Sequence, residues 1–321
     1  MTLAPIILFC YNRPWHVEQT LIALSKNELA DQSDLYIYCD GPKENASDEQ
    51  INQIKKVREV VRSQKWCKEV HIIEAEKNKG LANSIISGVT EIINTYGNVI
   101  VLEDDILTSQ YFLKYMNLSL QRYCVNDGVF SISGFNFPKT LLEIPIDYKW
   151  DNYASIRVSS WGWATWKNRW EKINWETKNI SELLNDNDII NAFNRGGEDL
   201  FPMLMQQKNK EIDSWAIRFA FAHFYNHAVA MYPVKSYVDN LGLDGTGVHC
   251  SDIGSKLHNN LQEAESNPIL LDVVYEDKRI INAFYNQYTK AKRPLWQKAI
   301  NFVARKIGFK PPFVIKKKVY A

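Results

Sequence analysis

Residues 97–106, with the sequence GNVIVLEDDI, constrain the fold more than any other segment of the chain. Four consecutive apolar residues follow a Gly-Asn turn and lead directly into Glu103, Asp104 and Asp105. An uninterrupted apolar run that ends in polar residues is typical of a buried parallel strand followed by a functional loop. The segment therefore predicts an α/β fold with three carboxylates at the carboxyl end of a strand.

Three adjacent acids repel one another unless a cation lies among them. Ligands of open α/β sheets bind at the carboxyl ends of the strands, and Mg²⁺ is usually held there by one or two carboxylates together with substrate phosphates. One interpretation is therefore a site for Mn²⁺ or Mg²⁺ and a phosphorylated substrate. The alternative is a solvated acidic turn before a helix that begins near Thr108 or Ser109.

The chain before this segment alternates apolar strands with amphipathic helices. Strands are predicted over 4–11, 34–39 and 69–73, and helices over 15–24, 47–66 and 82–95. Successive β-α units favour a doubly wound parallel sheet. Arg13 follows the first strand and Asp40 the second. Both residues are therefore expected at the same edge of the sheet as the three acids.

Charge and apolar patterning exclude several classes of protein. Lys and Arg number 38 against 37 Asp and Glu, so the chain has no global basic field for a nucleic acid partner. No apolar run approaches the ~18 residues of a membrane span, and the N-terminus has no signal-peptide pattern. Five widely spaced cysteines without a metal-binding spacing are typical of reduced thiols. These features predict a cytoplasmic protein.

The order of these features resembles that of the nucleotide-sugar glycosyltransferases of the GT-A fold. The features are a PIIL strand ending near Arg13, a second strand ending at Asp40, a Lys/Asn-Gly loop before a helix, and the sequence VLEDD. Residues 5–136 resemble more narrowly the catalytic core of eukaryotic N-acetylglucosaminyltransferase I, which carries Glu-Asp-Asp where most relatives carry Asp-x-Asp. The resemblance implies an α/β, Rossmann-like mixed and mostly parallel sheet flanked by helices.

The resemblance also implies a role for each polar residue. Glu103 would contact the donor sugar, Asp104 the ribose, and Asp105 would bind Mn²⁺ under the diphosphate. Arg13 matches the family's arginine after the first strand, and Asp40 matches the aspartate that contacts uracil.

Two cationic side chains are candidates to neutralise the diphosphate. The planar guanidinium of Arg13 can contact phosphate oxygens bidentately, although a surface arginine before a proline is the ordinary alternative. Lys79 could also reach phosphate, but its sequence context, EKNKG, is equally that of a solvated turn.

An aromatic cluster, SSWGWATW, spans residues 159–166. In the resembled fold this region lies over the donor sugar, so Trp161 and Trp163 would stack on the C–H faces of a sugar ring. The alternative for both side chains is ordinary core packing.

Inverting sugar transfer requires a carboxylate that takes the proton of the acceptor hydroxyl. The resembled family places this base in a short acidic segment before a Trp and a helix, which here leaves Glu211 and Asp213, with Asp213 favoured. The family has an acid directly before the Trp, where this chain has Ser214. A helix N-cap formed by Asp213 or Ser214 is the alternative.

Two later segments complete the sequence-based predictions. The Gly-rich loop 239–249 contains His249, which is a candidate ligand of the metal or the diphosphate, as a late His is in many GT-A enzymes. The alternative is a structural role, which is more common for a lone His. Residues 291–321 form a basic amphipathic segment. Such a segment is typical either of a peripheral membrane contact or of a docked C-terminal helix with a solvated tail.

The sequence thus predicts a nucleotide-sugar-binding half (1–137), an acceptor-binding half of the same domain (138–290) and the basic segment (291–321). The expected enzyme is a bacterial, inverting, metal-dependent glycosyltransferase at the inner face of the plasma membrane. Its donor would be a UDP-sugar, with UDP-GlcNAc suggested by the resemblance, and its acceptor a hydroxyl of a glycan or lipid-linked glycan for surface polysaccharide. A nucleotidyltransferase and a non-catalytic carbohydrate-binding or scaffold protein of the same fold are the alternatives.

Overall fold

The computed structural model describes residues 2–176, 180, 186–244 and 257–289. Within these ranges the strands are β1 (Ile6–Cys10), β2 (Asp34–Cys39), β3 (Glu69–Glu74), β4 (Asn98–Glu103), β5 (Ile106–Thr108), β6 (Val129–Ser133), β7 (Asn152–Ser155), β8 (Trp163–Trp166), β9 (Val229–Pro233) and β10 (Val238–Asn240). The α-helices are α1 (Pro14–Ser25), α2 (Asp48–Arg62), α3 (Leu81–Tyr96), α4 (Phe112–Tyr123), α5 (Lys167–Trp170), α6 (Asn187–Phe193), α7 (Leu200–Lys208), α8 (Trp215–Tyr225) and α9 (Lys278–Tyr288).

Eight of the described strands form one mixed sheet in the order β3-β2-β1-β4-β8-β6-β9-β7. Six of them, namely β1 to β4, β6 and β9, run in one direction, whereas β7 and β8 run in the other. Helices cover both faces of this sheet. The predicted α/β class, with a mixed and mostly parallel sheet flanked by helices, is confirmed.

The sheet separates two apolar cores. Alternation along β1 directs Ile6 and Leu8 into the core shared with α1, α2 and α4, and directs Ile7 and Phe9 into the core shared with α3 and α8. All five residues of β1 are buried because neighbouring strands and helices cover both faces. The unbroken apolar run in the sequence therefore reflects a central position in the sheet.

The chain does not form a helix directly after the acids. Residues Ile106–Thr108 instead form β5, which pairs antiparallel with β10 in a separate two-stranded sheet. The alternative of a helix beginning near Thr108 or Ser109 is therefore wrong, and α4 begins only at Phe112. The cause is tertiary, because a strand about 130 residues later in the chain supplies the partner for β5.

The aromatic cluster is also divided by the fold. Its second part forms β8, which lies between β4 and β6 in the middle of the sheet. Because β8 runs antiparallel to β4 and pairs Trp163 with Val101, the residues before Trp163 lie level with the end of β4. Trp161 is therefore at the carboxyl edge of the sheet, while Trp163 is inside it.

No helix among the described residues is both long enough and apolar enough to cross a membrane. The basic segment 291–321 and His249 lie outside the described residues.

Candidate active site

The two central aspartates of the acidic segment lie in a turn between β4 and β5. Asp104 and Asp105 expose 8% and 15% of their side chains. The Thr20 hydroxyl donates to the backbone carbonyl of Asp104 at 2.9 Å, and the Leu241 amide donates to the carbonyl of Asp105 at 2.8 Å. Both backbone positions are thus fixed by contacts from other elements, α1 on one side and the segment after β10 on the other.

Arg13 lies between these carboxylates and bridges them. It is the N-cap residue of α1, and Pro14 begins the helix directly behind it. Its Nη2 donates to Asp104 Oδ1 and to Asp105 Oδ2, the latter at 2.9 Å. Burial alone would lower the pKa of Arg13, but the two carboxylates outweigh that effect and raise it, so the guanidinium stays charged.

Burial controls the charge of the acids themselves. It raises the pKa of Glu103 to about 8, with the negative charges of Asp105 and Asp104 adding to the effect. Burial also raises the pKa of Asp104, although the adjacent Arg13 opposes the shift. Glu103 is therefore partly protonated near neutral pH, and a protonated carboxyl can donate a hydrogen bond as well as accept one.

Asp40 organises a loop next to the acids. Its Oδ1 accepts from the amides of Gly41 (2.8 Å) and Lys79 (2.9 Å), and its Oδ2 accepts from Asn78 Nδ2 (2.8 Å) and the Gly80 amide (3.2 Å). These four donors match the roughly four acceptor positions of a carboxylate. Asp40 thus joins the end of β2 to the start of α3, and its carboxylate is already engaged where a uracil contact was expected.

The segment 78–80 is held by the Asn78 side chain and by the amides of Lys79 and Gly80, whereas the Lys79 side chain is exposed. A Cβ at Gly41 would lie 2.6 Å from backbone atoms of Lys77, closer than real Cβ atoms come. Gly80 has a φ of +78°, a conformation that L side chains rarely adopt. Both glycines are therefore required by the tight return of the chain toward Asp40.

Gly242 closes the site from the side of β10. A Cβ at this position would overlap Asp105 Oδ2, so only glycine leaves room for that carboxylate. Asn240 Oδ1 accepts from the Gly242 amide at 2.7 Å and fixes the turn. The sequence flagged this Gly-rich loop for possible phosphate contacts, but it did not indicate that the loop packs on Asp105.

The carboxylates of the site are the expected ligands of a divalent cation. Among the described residues no group of three or more His, Cys, Asp or Glu side chains has the arrangement of a complete metal site. Asp104 and Asp105 do provide two adjacent hard oxygen ligands, and Gly242 packs directly against the Asp105 carboxylate. Such a pair fits Mg²⁺ or Mn²⁺ when phosphate oxygens complete the shell.

A second ionisable pair joins β10 to the segment that begins at residue 257. His258 Nδ1 lies 2.9 Å from Asp239 Oδ2, and the Asn259 amide donates to Asp239 Oδ1 at 3.2 Å. The Asn259 side chain in turn donates to the carbonyl of Asn136 at 3.0 Å. These contacts attach the segment after 257 to the end of β6, and no sequence pattern predicted them.

A cavity of about 60 Å³ lies at the carboxyl edge of the sheet and includes Trp161 in its wall. Trp161 packs edge-on against Phe135, which follows β6, with ring centroids 4.5 Å apart. The first turn of α8, through Ala216 and Ile217, forms the facing wall. Trp161 therefore lines a cavity that is much smaller than the roughly 300–1,000 Å³ of a typical small-molecule site.

Trp163 has different surroundings. It is 1% exposed and stacks on Trp215 and Trp170, with ring centroids 4.9 and 5.8 Å away. These neighbours belong to the core on the α8 face of the sheet. The structure places Trp163 in the interior, which corresponds to the core-packing alternative, and does not bring it to the cavity.

The two candidate bases precede α8. Asp213 exposes 60% of its side chain and accepts from Arg218 Nη2 at 2.7 Å. Glu211 is exposed and accepts from Asn209 Nδ2 at 3.1 Å. Ser214 caps the helix, since its hydroxyl accepts from the Ile217 amide at 3.3 Å. Asp213 is thus not needed as the cap, and it lies three residues before Ala216, outside the cavity wall.

No protein-family model matches the chain, and no curated protein matches it. Several solved structures resemble parts of it. A mannosyltransferase, PcManGT from Pyrobaculum calidifontis, in complex with GDP-Man and Mn²⁺, is 13% identical with a TM-score of 0.37 and covers 53% of this chain and 48% of its own. Residues 1–349 of TarS from S. aureus are 12% identical with a TM-score of 0.37, covering 74% and 59%.

A UDP-glucose pyrophosphorylase complexed with UDP-glucose is 12% identical with a TM-score of 0.37, covering 72% of this chain and 90% of its own. The matched part spans about half of the mannosyltransferase and three fifths of the TarS fragment. A likeness at this level identifies neither a family nor an activity.

Proposed function

We propose that this chain is a GT-A glycosyltransferase that moves a sugar from a nucleotide diphosphate donor to a hydroxyl acceptor. One observation carries the proposal, namely that Arg13, Asp104 and Asp105 meet at the carboxyl ends of β1 and β4. A cation and two hard oxygen ligands at that edge form the charge pattern that a metal-bound diphosphate requires. The resemblance of the VLEDD segment to N-acetylglucosaminyltransferase I also implies that Arg13, Asp104 and Asp105 bind the nucleotide-sugar donor and its metal.

Each donor-binding residue has a proposed task. Asp105 would hold Mn²⁺ or Mg²⁺, and the ion would neutralise the leaving diphosphate when bound. Asp104 contacts the ribose, and Glu103 contacts the donor sugar. Arg13 contacts the diphosphate.

The acceptor side lies across the cavity. Trp161 presents an aromatic face to the sugar, and Asp213 takes the proton from the acceptor hydroxyl as it attacks with inversion, with Glu211 as the second candidate. A UDP-sugar donor and a glycan or lipid-linked glycan acceptor complete the proposal. The wider assignment to bacterial surface polysaccharide synthesis rests on the sequence alone.

Thermal stabilisation by UDP, GDP, CMP and dTDP, each with and without Mn²⁺, tests the proposal. A nucleotide at ~100 times its Kd should stabilise the protein by about 2.7 kcal/mol. The stabilisation should require Mn²⁺ and disappear in Asp105→Asn, while Asp272→Asn, at an exposed carboxylate paired with Arg122, should leave it unchanged. A non-catalytic scaffold would show no stabilisation with any nucleotide. A nucleotidyltransferase would release nucleoside triphosphate from a nucleotide-sugar and pyrophosphate, which a glycosyltransferase would not.

A further inference from the structure

Arg13 occupies Asp105, the carboxylate that the proposed metal would need, together with its neighbour Asp104. Its Nη2 contacts both Asp104 Oδ1 and Asp105 Oδ2. A divalent ion bound to Asp105 would therefore come within a few ångströms of a guanidinium that remains positively charged. Like charges at such a distance repel strongly in a partly buried site.

Of the three groups, Arg13 is the one whose position can change. The backbone of Asp104 is fixed by Thr20, and that of Asp105 by Leu241. Gly242 packs against Asp105 Oδ2 and limits rotation of that carboxylate away from the site. Arg13, in contrast, has a long side chain that is 23% exposed and extends from the N-cap of α1.

A nucleotide diphosphate would remove the conflict. Its oxygens can accept hydrogen bonds bidentately from the planar guanidinium of Arg13, and its negative charge compensates both the guanidinium and the ion. We infer that Arg13 acts as a charge relay during donor loading. Its guanidinium neutralises Asp104 and Asp105 before the donor arrives, and it moves to the diphosphate when the metal binds. This inference rests on the proposed function and adds a mechanism for how the metal and the nucleotide depend on each other.

The relay has a thermodynamic signature. Metal alone must compete with Arg13, whereas metal together with nucleotide does not. The metal and the nucleotide should therefore bind with a positive coupling free energy that is larger than their direct contact alone would give. By linkage, each ligand should raise the affinity of the other by the same factor. An arginine that stayed on the carboxylates throughout would weaken metal binding equally with and without nucleotide, so it would add nothing to the coupling.

Electron paramagnetic resonance of free Mn²⁺ measures this coupling directly, without any turnover. Mn²⁺ affinity is determined with and without saturating UDP, and again with GDP, for the wild type, Arg13→Gln, Arg13→Lys and Arg122→Gln. In Arg13→Gln we expect Mn²⁺ alone to bind about tenfold more tightly than in the wild type, and the UDP-induced increase to shrink by about the same factor, within the roughly 5- to 150-fold range of coupled sites.

The controls separate charge from fold. Arg13→Lys keeps the positive charge and should keep Mn²⁺ alone as weakly bound as in the wild type. Arg122→Gln removes an arginine that pairs with the exposed Asp272 and should change neither affinity. If Arg13→Gln does not fold, the lysine variant still decides the matter, because tight binding of Mn²⁺ alone to Arg13→Lys would overturn the relay.

The outcomes distinguish the inference from the function on which it rests. If neither UDP nor GDP raises Mn²⁺ affinity in the wild type, the proposed function fails and the relay fails with it. If a nucleotide raises Mn²⁺ affinity by the same factor in the wild type and Arg13→Gln, the donor site is supported and only the relay is overturned.

Discussion

Arg157 and Asp199 form a two-pronged ion pair in the interior beside the cavity. Nη1 lies 2.9 Å from Oδ1 and Nη2 lies 2.8 Å from Oδ2, while the side chains are only 6% and 5% exposed. The ring of Tyr288 covers the guanidinium, with its centroid 3.5 Å from Cζ. The pair joins the segment before β8 to the N-terminus of α7 and to the end of α9.

Removing one member of this pair should be costly. Asp199→Asn leaves a buried guanidinium without its counter-charge, and breaking a buried pair in this way typically costs about 3–5 kcal/mol. We expect a loss of that size in the free energy of unfolding, measured by urea denaturation. Asp272→Asn, which removes an acid that is 68% exposed and pairs with the exposed Arg122, is the control and should change stability by less than about 1 kcal/mol. Equal losses in the two variants would contradict this account.

Gly242→Ala should damage the site more than the fold. The added Cβ would overlap Asp105 Oδ2, so the carboxylate has to move. We expect the Mn²⁺-dependent affinity for nucleotide to fall by about tenfold or more, because a tenfold loss of affinity needs a binding free energy change of only about 1.4 kcal/mol. Calorimetry of nucleotide binding measures the loss, and Gly128→Ala, where the nearest group is a surface Asn126 side chain, is the matched control. Unchanged binding in Gly242→Ala would show that Asp105 does not need its present position.

His223 makes stability depend on pH. It is fully buried, and burial lowers its pKa to about 4, below the value of about 6.5 in an unfolded chain. The unfolded state therefore binds the proton first, and stability is lost as pH falls from about 6.5 to about 4. The loss should be on the order of 3 kcal/mol at pH 4.

Urea denaturation of the wild type and His223→Gln between pH 4 and 8 tests this expectation. The His223 imidazole lies 2.8 Å from the Ser131 hydroxyl and 2.8 Å from the Phe219 carbonyl, so the glutamine retains hydrogen-bonding capacity. The difference in stability between the two proteins should shrink toward pH 4. A constant difference over the whole range would show that His223 does not titrate with folding.

The two tryptophans of the SSWGWATW cluster should respond differently to alanine. Trp163→Ala removes a buried ring from the core and should cost about 3–5 kcal/mol of folding stability. Trp161→Ala removes a half-buried ring from the cavity wall, so it should reduce sugar transfer with a smaller loss of stability. Chemical denaturation and transferase assays of both variants measure the contrast. Equal loss of stability with no effect of Trp161→Ala on transfer would exclude Trp161 from contact with the donor sugar.

Asp213→Asn should affect catalysis and leave donor binding intact. A general base typically raises the rate by about 10²- to 10⁴-fold, so kcat should decrease by a factor in that range while the affinity for nucleotide stays constant. Glu211→Gln, which changes an exposed acid two residues earlier, is the control. A large loss of kcat in Glu211→Gln with wild-type activity in Asp213→Asn would reverse the assignment.

The sequence by itself determined the parallel half of the sheet. The run before Glu103 is buried on both faces, and an apolar strand of that kind is recognisable without knowing its neighbours. The predicted strand 34–39 matches the structure in its bounds. Arg13, Asp40 and the acids were expected at one edge because parallel strands with right-handed crossovers place their carboxyl ends together.

Tertiary structure decided what those residues contact and which strands complete the sheet. The pairing of β5 with β10, the close packing of Gly242 on Asp105 and the hydrogen bonds of Asp40 with the loop 78–80 all join residues tens to more than a hundred positions apart. Trp161 and Trp163 are only two residues apart, yet one lines the cavity and the other lies in the core. The reason is that β8 begins at Trp163 and Gly162 before it has a φ of +60°, so the two side chains do not share one face of a strand. Local patterns encode the period of a strand or helix, but the choice of partners depends on long-range packing that no local pattern contains.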